Sequence, residues 1–142
     1  MDKKLIARAS VTVNASPARV WEALTTPAII KKYFFGSDIV TDWKVGSPIF
    51  YRGEWQGKPY EDKGTILKFE PEKRLVNTHW SPLSGVPDTP DNYHTVAYEL
   101  TPHGASTTLT LTQDNNATED ERSHSEQNWN MMLQTLKQIL ES

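Results

Sequence analysis

Residues 118–142 read TEDERSHSEQNWNMMLQTLKQILES, and this stretch decides the fold. Thr118-Glu119-Asp120-Glu121 is a capping box: threonine at the N-cap, glutamate at the third helical position, acidic side chains where the helix dipole favours them. Trp129, Met132, Leu133, Leu136 and Leu140 then fall at i, i+3, i+4, i+7 and i+11, a single apolar stripe. The spacing predicts a helix running to about residue 140, roughly 30–35 Å long at about 1.5 Å per residue. Arg122 and Ser125 share the direction of that stripe, so the inward side is polar at its start and apolar from Trp129 onward. The polar start either overhangs the partner surface in solvent or roofs a cavity with a polar mouth. A helix of this length must bury its stripe against something large.

The rest of the chain supplies that surface as strands. Residues 5–14 place Ala7, Ala9, Val11 and Val13 on one side and Arg8, Ser10 and Thr12 on the other. Residues 107–113 set Leu109 and Leu111 against Thr108, Thr110 and Thr112, and residues 93–101 set Val96, Tyr98 and Leu100 against Ala97, Glu99 and Thr101. Residues 48–55, 62–70 and 74–80 read as further strands, with turns at Gln56-Gly57 and Pro71-Glu72. Residues 81–92 hold three prolines and a glycine and read as a loop. Ser16-Pro17 and Thr26-Pro27 each place a capping residue before proline, opening two short helices; Phe34-Phe35-Gly36 closes the second. The economical solution is an α+β fold, a curved antiparallel sheet of six or seven strands with the long C-terminal helix packed across it.

Composition narrows the class. A chain of 142 residues is one domain's worth, so residues 1–142 are expected to share one core. Apolar residues at 37% with 10% aromatics are globular values, and no apolar run approaches a membrane span. Fifteen basic against eighteen acidic residues leave a net charge of −3, without the basic stripe of a nucleic-acid binder. There is no cysteine, which removes disulfides, thiolate metal sites and cysteine nucleophiles. Residues 1–5 carry no apolar signal core, so a cytoplasmic protein is expected, as monomer or weak dimer.

The run Ala15-Ser-Pro-Ala-Arg-Val-Trp-Glu-Ala-Leu-Thr-Thr-Pro27 resembles the N-terminal signature of the START-like (SRPBCC) helix-grip superfamily. It is most similar to the branch named for the C-terminal domain of the activator of the heat-shock chaperone ATPase. Matches follow in order at Tyr33-Phe34, Trp43-Lys-Val-Gly46, Gly64, Pro71-Glu-Lys-Arg-Leu75, Thr78-His-Trp80 and Asn128-Trp129. The resemblance implies the helix-grip fold over nearly the whole chain. It implies less about function, because members bind hydrophobic ligands, carry lipids or act as cyclases or hydrolases. The co-chaperone's further N-terminal domain has no counterpart here, so its chaperone-activating role is not carried over.

Catalytic and metal motifs are sparse. His79, His94, His103 and His124 form no paired ligand motif. Asp114-Asn115-Asn116 lacks the alternating ligands and glycine of a calcium loop and reads as a connector with capping groups. No nucleophile elbow and no phosphate-binding glycine loop is present, so no cofactor is expected. Glu61-Asp62 reads as a solvated strand edge. Glu54 falls opposite the apolar face formed by Ile49, Tyr51 and Trp55.

The aromatics are the informative set. Tyr51, Trp55, Trp80, Tyr98 and Trp129 are all expected on inward faces, where a buried indole or phenol wants a polar partner. The expected function is binding of a small, largely hydrophobic molecule, aromatic or lipid-like, between sheet and C-terminal helix. Phe34, Tyr51, Trp55, Trp80, Tyr98, Ser125, Trp129, Met132 and Leu133 are its candidate ligand-binding residues, with the 81–92 loop near the mouth. The alternatives are an enzyme acting on a cyclic substrate in the same cavity through Glu54 or His79, and a protein-regulating module. A titratable cavity residue favours the enzyme; an all-apolar cavity favours the binder.

Overall fold

In chain order the computed structural model, which describes residues 5–142, has β1 (Ala7–Val13), α1 (Pro17–Thr25), α2 (Pro27–Tyr33), β2 (Asp38–Thr41), β3 (Pro48–Trp55), β4 (Lys58–Glu70), β5 (Arg74–His79), β6 (His94–His103), β7 (Ser106–Gln113) and α3 (Glu119–Glu141). The expectation placed on the N-terminal residues 1–4 lies outside the described residues. The seven strands form one antiparallel sheet in the order β1-β7-β6-β5-β4-β3-β2. The four-residue β2 was not expected; it is too short to show a period, and only Ile39 in it is buried. β4 starts four residues earlier than expected and carries a register shift between Ile66 and Lys68. That bulge lets Ile66 and Phe69, three apart, both join the core side.

The N-caps form as read. Thr118 Oγ1 accepts from Glu121 N at 3.1 Å, and Ser16 Oγ accepts from Arg19 N at 3.3 Å. Phe35 and Gly36 end the α2 segment in left-handed conformations, φ 52° and 73°.

α3 grips the sheet in two ways. Met132, Leu133, Leu136 and Leu140 are buried in the core with Leu109, Leu111 and Val13. The helix also laces β1, an edge strand with unpaired backbone groups. Glu126 accepts from Arg8 N, Glu141 from Asn14 N, and Lys137 donates to Thr12 O. Asn116, 3% exposed, donates to Leu5 O and Gln113 O and so ties the start of β1 to the end of β7. The Asp114–Asn116 segment is thus a structural connector, and Asn115 sits in it at φ 58°. No helix among the described residues is long and apolar enough to cross a membrane.

Candidate functional site

The inner face of the sheet is apolar towards the C-terminal end of α3 and polar towards its N-terminal half. β4 brings Tyr60 and Asp62 to that polar end, β5 brings His79, and β7 brings Gln113. Ser125, Asn128 and Trp129 face them from α3 at i, i+3 and i+4, while Phe34, Phe35 and Ser37 close the side from the turn after α2. Together these residues enclose a cavity of about 190 Å³. It adjoins a wider cleft of about 650 Å³, to which Glu54, Leu83 and His124 contribute.

The walls are rings. Phe34 packs edge-on against Trp129 at 5.9 Å and stacks on Tyr51 at 5.4 Å. Tyr60 lies over Gly53, where a Cβ would stand 2.7 Å from the tyrosine hydroxyl, and that hydroxyl shares a hydrogen bond with Ser37 at 2.9 Å. The polar groups are mostly partnered by one another. Trp129 Nε1 donates to Gln113 Oε1, and Ser125 Oγ donates to Asn116 Oδ1 at 3.1 Å. His79 Nε2 and Asp62 Oδ2 stand 3.1 Å apart, with both side chains largely buried. The other carboxylate oxygen, Asp62 Oδ1, is buried without a hydrogen-bond partner.

Behind Phe34 the space closes. Tyr51 accepts from Asn77 Nδ2 at 2.9 Å and lies edge-on to His79 at 5.2 Å. Burial pushes the Tyr51 hydroxyl well above its ordinary range, with Tyr98 and Asp62 adding to the rise and the Asn77 hydrogen bond opposing it. Only about 20 Å³ remains free among these side chains, about the room of one water.

The expected ligand-binding residues therefore separate. Phe34, Ser125 and Trp129 line the cavity. Tyr51 and Tyr98 face inward but border the small inner void. Met132 and Leu133, at 1% and 0% exposure, are core residues filled in from both sides. The side chain of Trp55 lies outside the described ones. Trp80 is a correction: it points to the outer face of the sheet, stacked on Tyr93 at 6.4 Å beneath Lys63, with its Nε1 donating to Val86 O. Its neighbour His79 takes the inward position. Leu75 and Val76 are adjacent and both buried, so the apolar pattern of β5 does not fix which face is which.

The 81–92 loop is corrected with it. Two single turns of 3₁₀ helix, Pro82–Ser84 and Pro90–Asn92, fold it largely over the outer face; only Leu83 reaches the cleft. Asp62, read as solvated edge, turns inward, while Glu61 keeps the edge and pairs with Arg52 at 2.6 Å. Glu54 is exposed. Arg122 pairs with Glu119 and Glu126 along its own helix, so the overhang ends there and the cavity roof begins at Ser125. Among the described residues no group of three or more histidine or acidic side chains is placed to hold a metal ion.

A seven-stranded antiparallel sheet wrapped on one long helix, with an aromatic-walled cavity at the helix's polar end, defines a START-like helix-grip protein. The chain belongs to the family of Activator of Hsp90 ATPase homolog 1-like proteins, whose profile matches residues 14–141. A Cytophaga hutchinsonii protein of known solution structure is 54% identical over 99% of this chain and 97% of its own, with a TM-score of 0.87. The Aha1 dimer from Colwellia psychrerythraea, also a solution structure, is 24% identical over 95% of each chain, TM-score 0.74. DynU16, described as a putative protein in the dynemicin biosynthetic locus, is 22% identical over 98% of this chain and 48% of its own, TM-score 0.81. No protein of curated function matches.

Proposed function

We propose that this chain binds a small, largely apolar, planar molecule in the cavity between the N-terminal half of α3, the 34–37 turn and the inner ends of β4 and β5. The observation that carries the reading is the lining itself. Phe34, Tyr60 and Trp129 offer ring faces and edges around polar groups already oriented by Ser37, Gln113 and His79. Apolar walls with a few fixed polar groups are the usual make-up of a small-molecule site. The volume suits a molecule of one or two rings, with any longer part lying in the adjoining cleft. Trp129 is the natural reporter. Aromatic ligands should change tryptophan emission saturably, and Trp129→Phe should remove most of that signal while leaving calorimetric binding in place. Linear responses across fatty acids, flavonoids and simple aromatics would refute the proposal.

One observation favours turnover as a second reading. Asp62 holds the imidazole of His79 through one nitrogen, the arrangement of a base and its orienting acid. His79→Gln then separates the two: the ligand is still recovered with the variant in either case, at whatever affinity the loss of the Asp62 contact leaves, but only an enzyme stops converting it, as read by mass spectrometry of the recovered ligand.

A further inference from the structure

We infer that the Asp62 carboxylate is the recognition point of this cavity, selecting aromatic ligands that present an O–H or N–H donor and carry no negative charge. The inference rests on the binding reading above and names the ligand class. Asp62 lines both the cavity and its outer cleft. One of its oxygens is engaged by His79; the other is buried with nothing to accept from. A buried acceptor left unpaired is costly, and the cost is recovered by any ligand that brings the missing donor. The neighbouring donors do not turn to it. The Tyr60 hydroxyl is engaged with Ser37, the Trp129 N–H with Gln113, and the Ser125 hydroxyl with Asn116. Oδ1 has almost no free surface as it stands, so a ligand donor reaches the carboxylate by turning it about its terminal torsion, which is broad and two-fold in aspartate.

Charge excludes the opposite class. Among the described residues Glu54 and Asp62 line the cavity and cleft together with His79 and His124, and no lysine or arginine does. Lys63, next to Asp62 in sequence, faces the other side of the sheet and is paired with Asp88 at 2.5 Å. A ligand carboxylate would meet the charge of Asp62 in a partly dry site, where the neighbouring imidazole of His79 is already engaged by Asp62 itself. Fatty acids and aromatic acids are therefore rejected, while a phenol or an indole-like N–H is accepted.

Calorimetric titration with three probes of one shape tests this: naphthol, its methyl ether and naphthoate. The wild-type protein should bind naphthol about tenfold or more tighter than the ether, with naphthoate weakest. Asp62→Asn removes the charge and adds a donor, so the naphthol advantage should shrink and naphthoate should improve. Equal affinity for naphthol and ether, or naphthoate as the tightest ligand, overturns the inference while leaving the cavity a binding site. Binding of none of the three overturns the inference and the binding reading together. The wild-type ranking decides the matter even where the variant does not fold.

Discussion

Filling the cavity and hollowing the core should have opposite consequences, and α3 carries a residue for each. Ser125 lines the cavity and Leu136, three turns on along the same stripe, is fully buried. Ser125→Trp loses the bond to Asn116 and orphans that residue's buried acceptor, at about 1–2 kcal/mol. Laying the new indole against Phe34 and Trp129 covers apolar surface; about 100 Å² at about 25 cal/mol/Å² returns about 2.5 kcal/mol. The two nearly cancel. For a chain of this size about 1 kcal/mol moves the melting temperature by about 3–4 °C, so Ser125→Trp should melt within about 5 °C of wild type. Leu136→Ala removes side-chain volume from a site closed on all sides and should cost about 2–5 kcal/mol, lowering the midpoint by roughly 7–18 °C. Thermal melts followed by circular dichroism and the naphthol titration are run on both variants. The expected pattern is normal stability without binding in Ser125→Trp, and low stability with binding in Leu136→Ala below its midpoint. Undiminished binding in Ser125→Trp places the ligand elsewhere. Melting as low as that of Leu136→Ala means that there was no space to fill.

Two further outcomes follow from the same geometry. A Cβ at Gly64 would lie 1.7 Å from the carbonyl oxygen of Thr78 in the neighbouring strand, so Gly64→Ala must push apart the segments that carry Asp62 and His79. It should cost about 3 kcal/mol or more in urea unfolding, and a wild-type midpoint would show the strand approach to be looser than described. Burial is the first cause holding the hydroxyls of Tyr33, Tyr51 and Tyr98 above their ordinary range. Their folded forms keep protons that the unfolded chain loses near pH 10, so the stability they contribute is complete below that pH and falls above it, by about 1.4 kcal/mol per pH unit for each group. Alkaline titration should show these three ionising only in step with unfolding; phenolate absorbance appearing in a folded protein would contradict it.

The parts legible in the sequence are those whose two faces differ chemically. The Leu109/Leu111 side of β7 is buried at 0% while Thr108, Thr110 and Thr112 lie on the other side, and the α3 stripe runs as spaced. Legibility failed where both neighbours suit either face. Leu75-Val76 gives β5 no phase, and the larger apolar residue of His79-Trp80 went outward because the 81–93 segment folds over that side and covers it. Glu61-Asp62 is the same ambiguity in charged form. Alternation requires one carboxylate inside; β4 buries Gly64 and Ile66, and that phase turns Asp62 inward to meet His79 on the adjacent strand.

That ambiguity falls where the site is, and the coincidence has a physical basis. A strand segment that packs against leucines announces itself by alternation, because every second residue must be apolar. The inner positions at this end are instead Tyr60, Asp62, His79 and Gln113, and the helix opposite them changes from Leu136, Leu133 and Met132 to Trp129, Asn128 and Ser125. Both partners drop their apolar character over the same stretch. A change on one side alone would leave polar groups against a dry wall, at a cost of about 1–3 kcal/mol for each one unpaired. Matched changes leave polar groups that pair across the gap, as Trp129 does with Gln113, and a volume that neither side fills. Among the buried side-chain atoms of the described residues, the orphaned oxygen of Asp62 is where the pairing stops short. A protein built only for stability would close that position with a leucine pair; this one keeps a carboxylate beside a cavity, and in the binding reading proposed above the missing partner is the ligand's to supply.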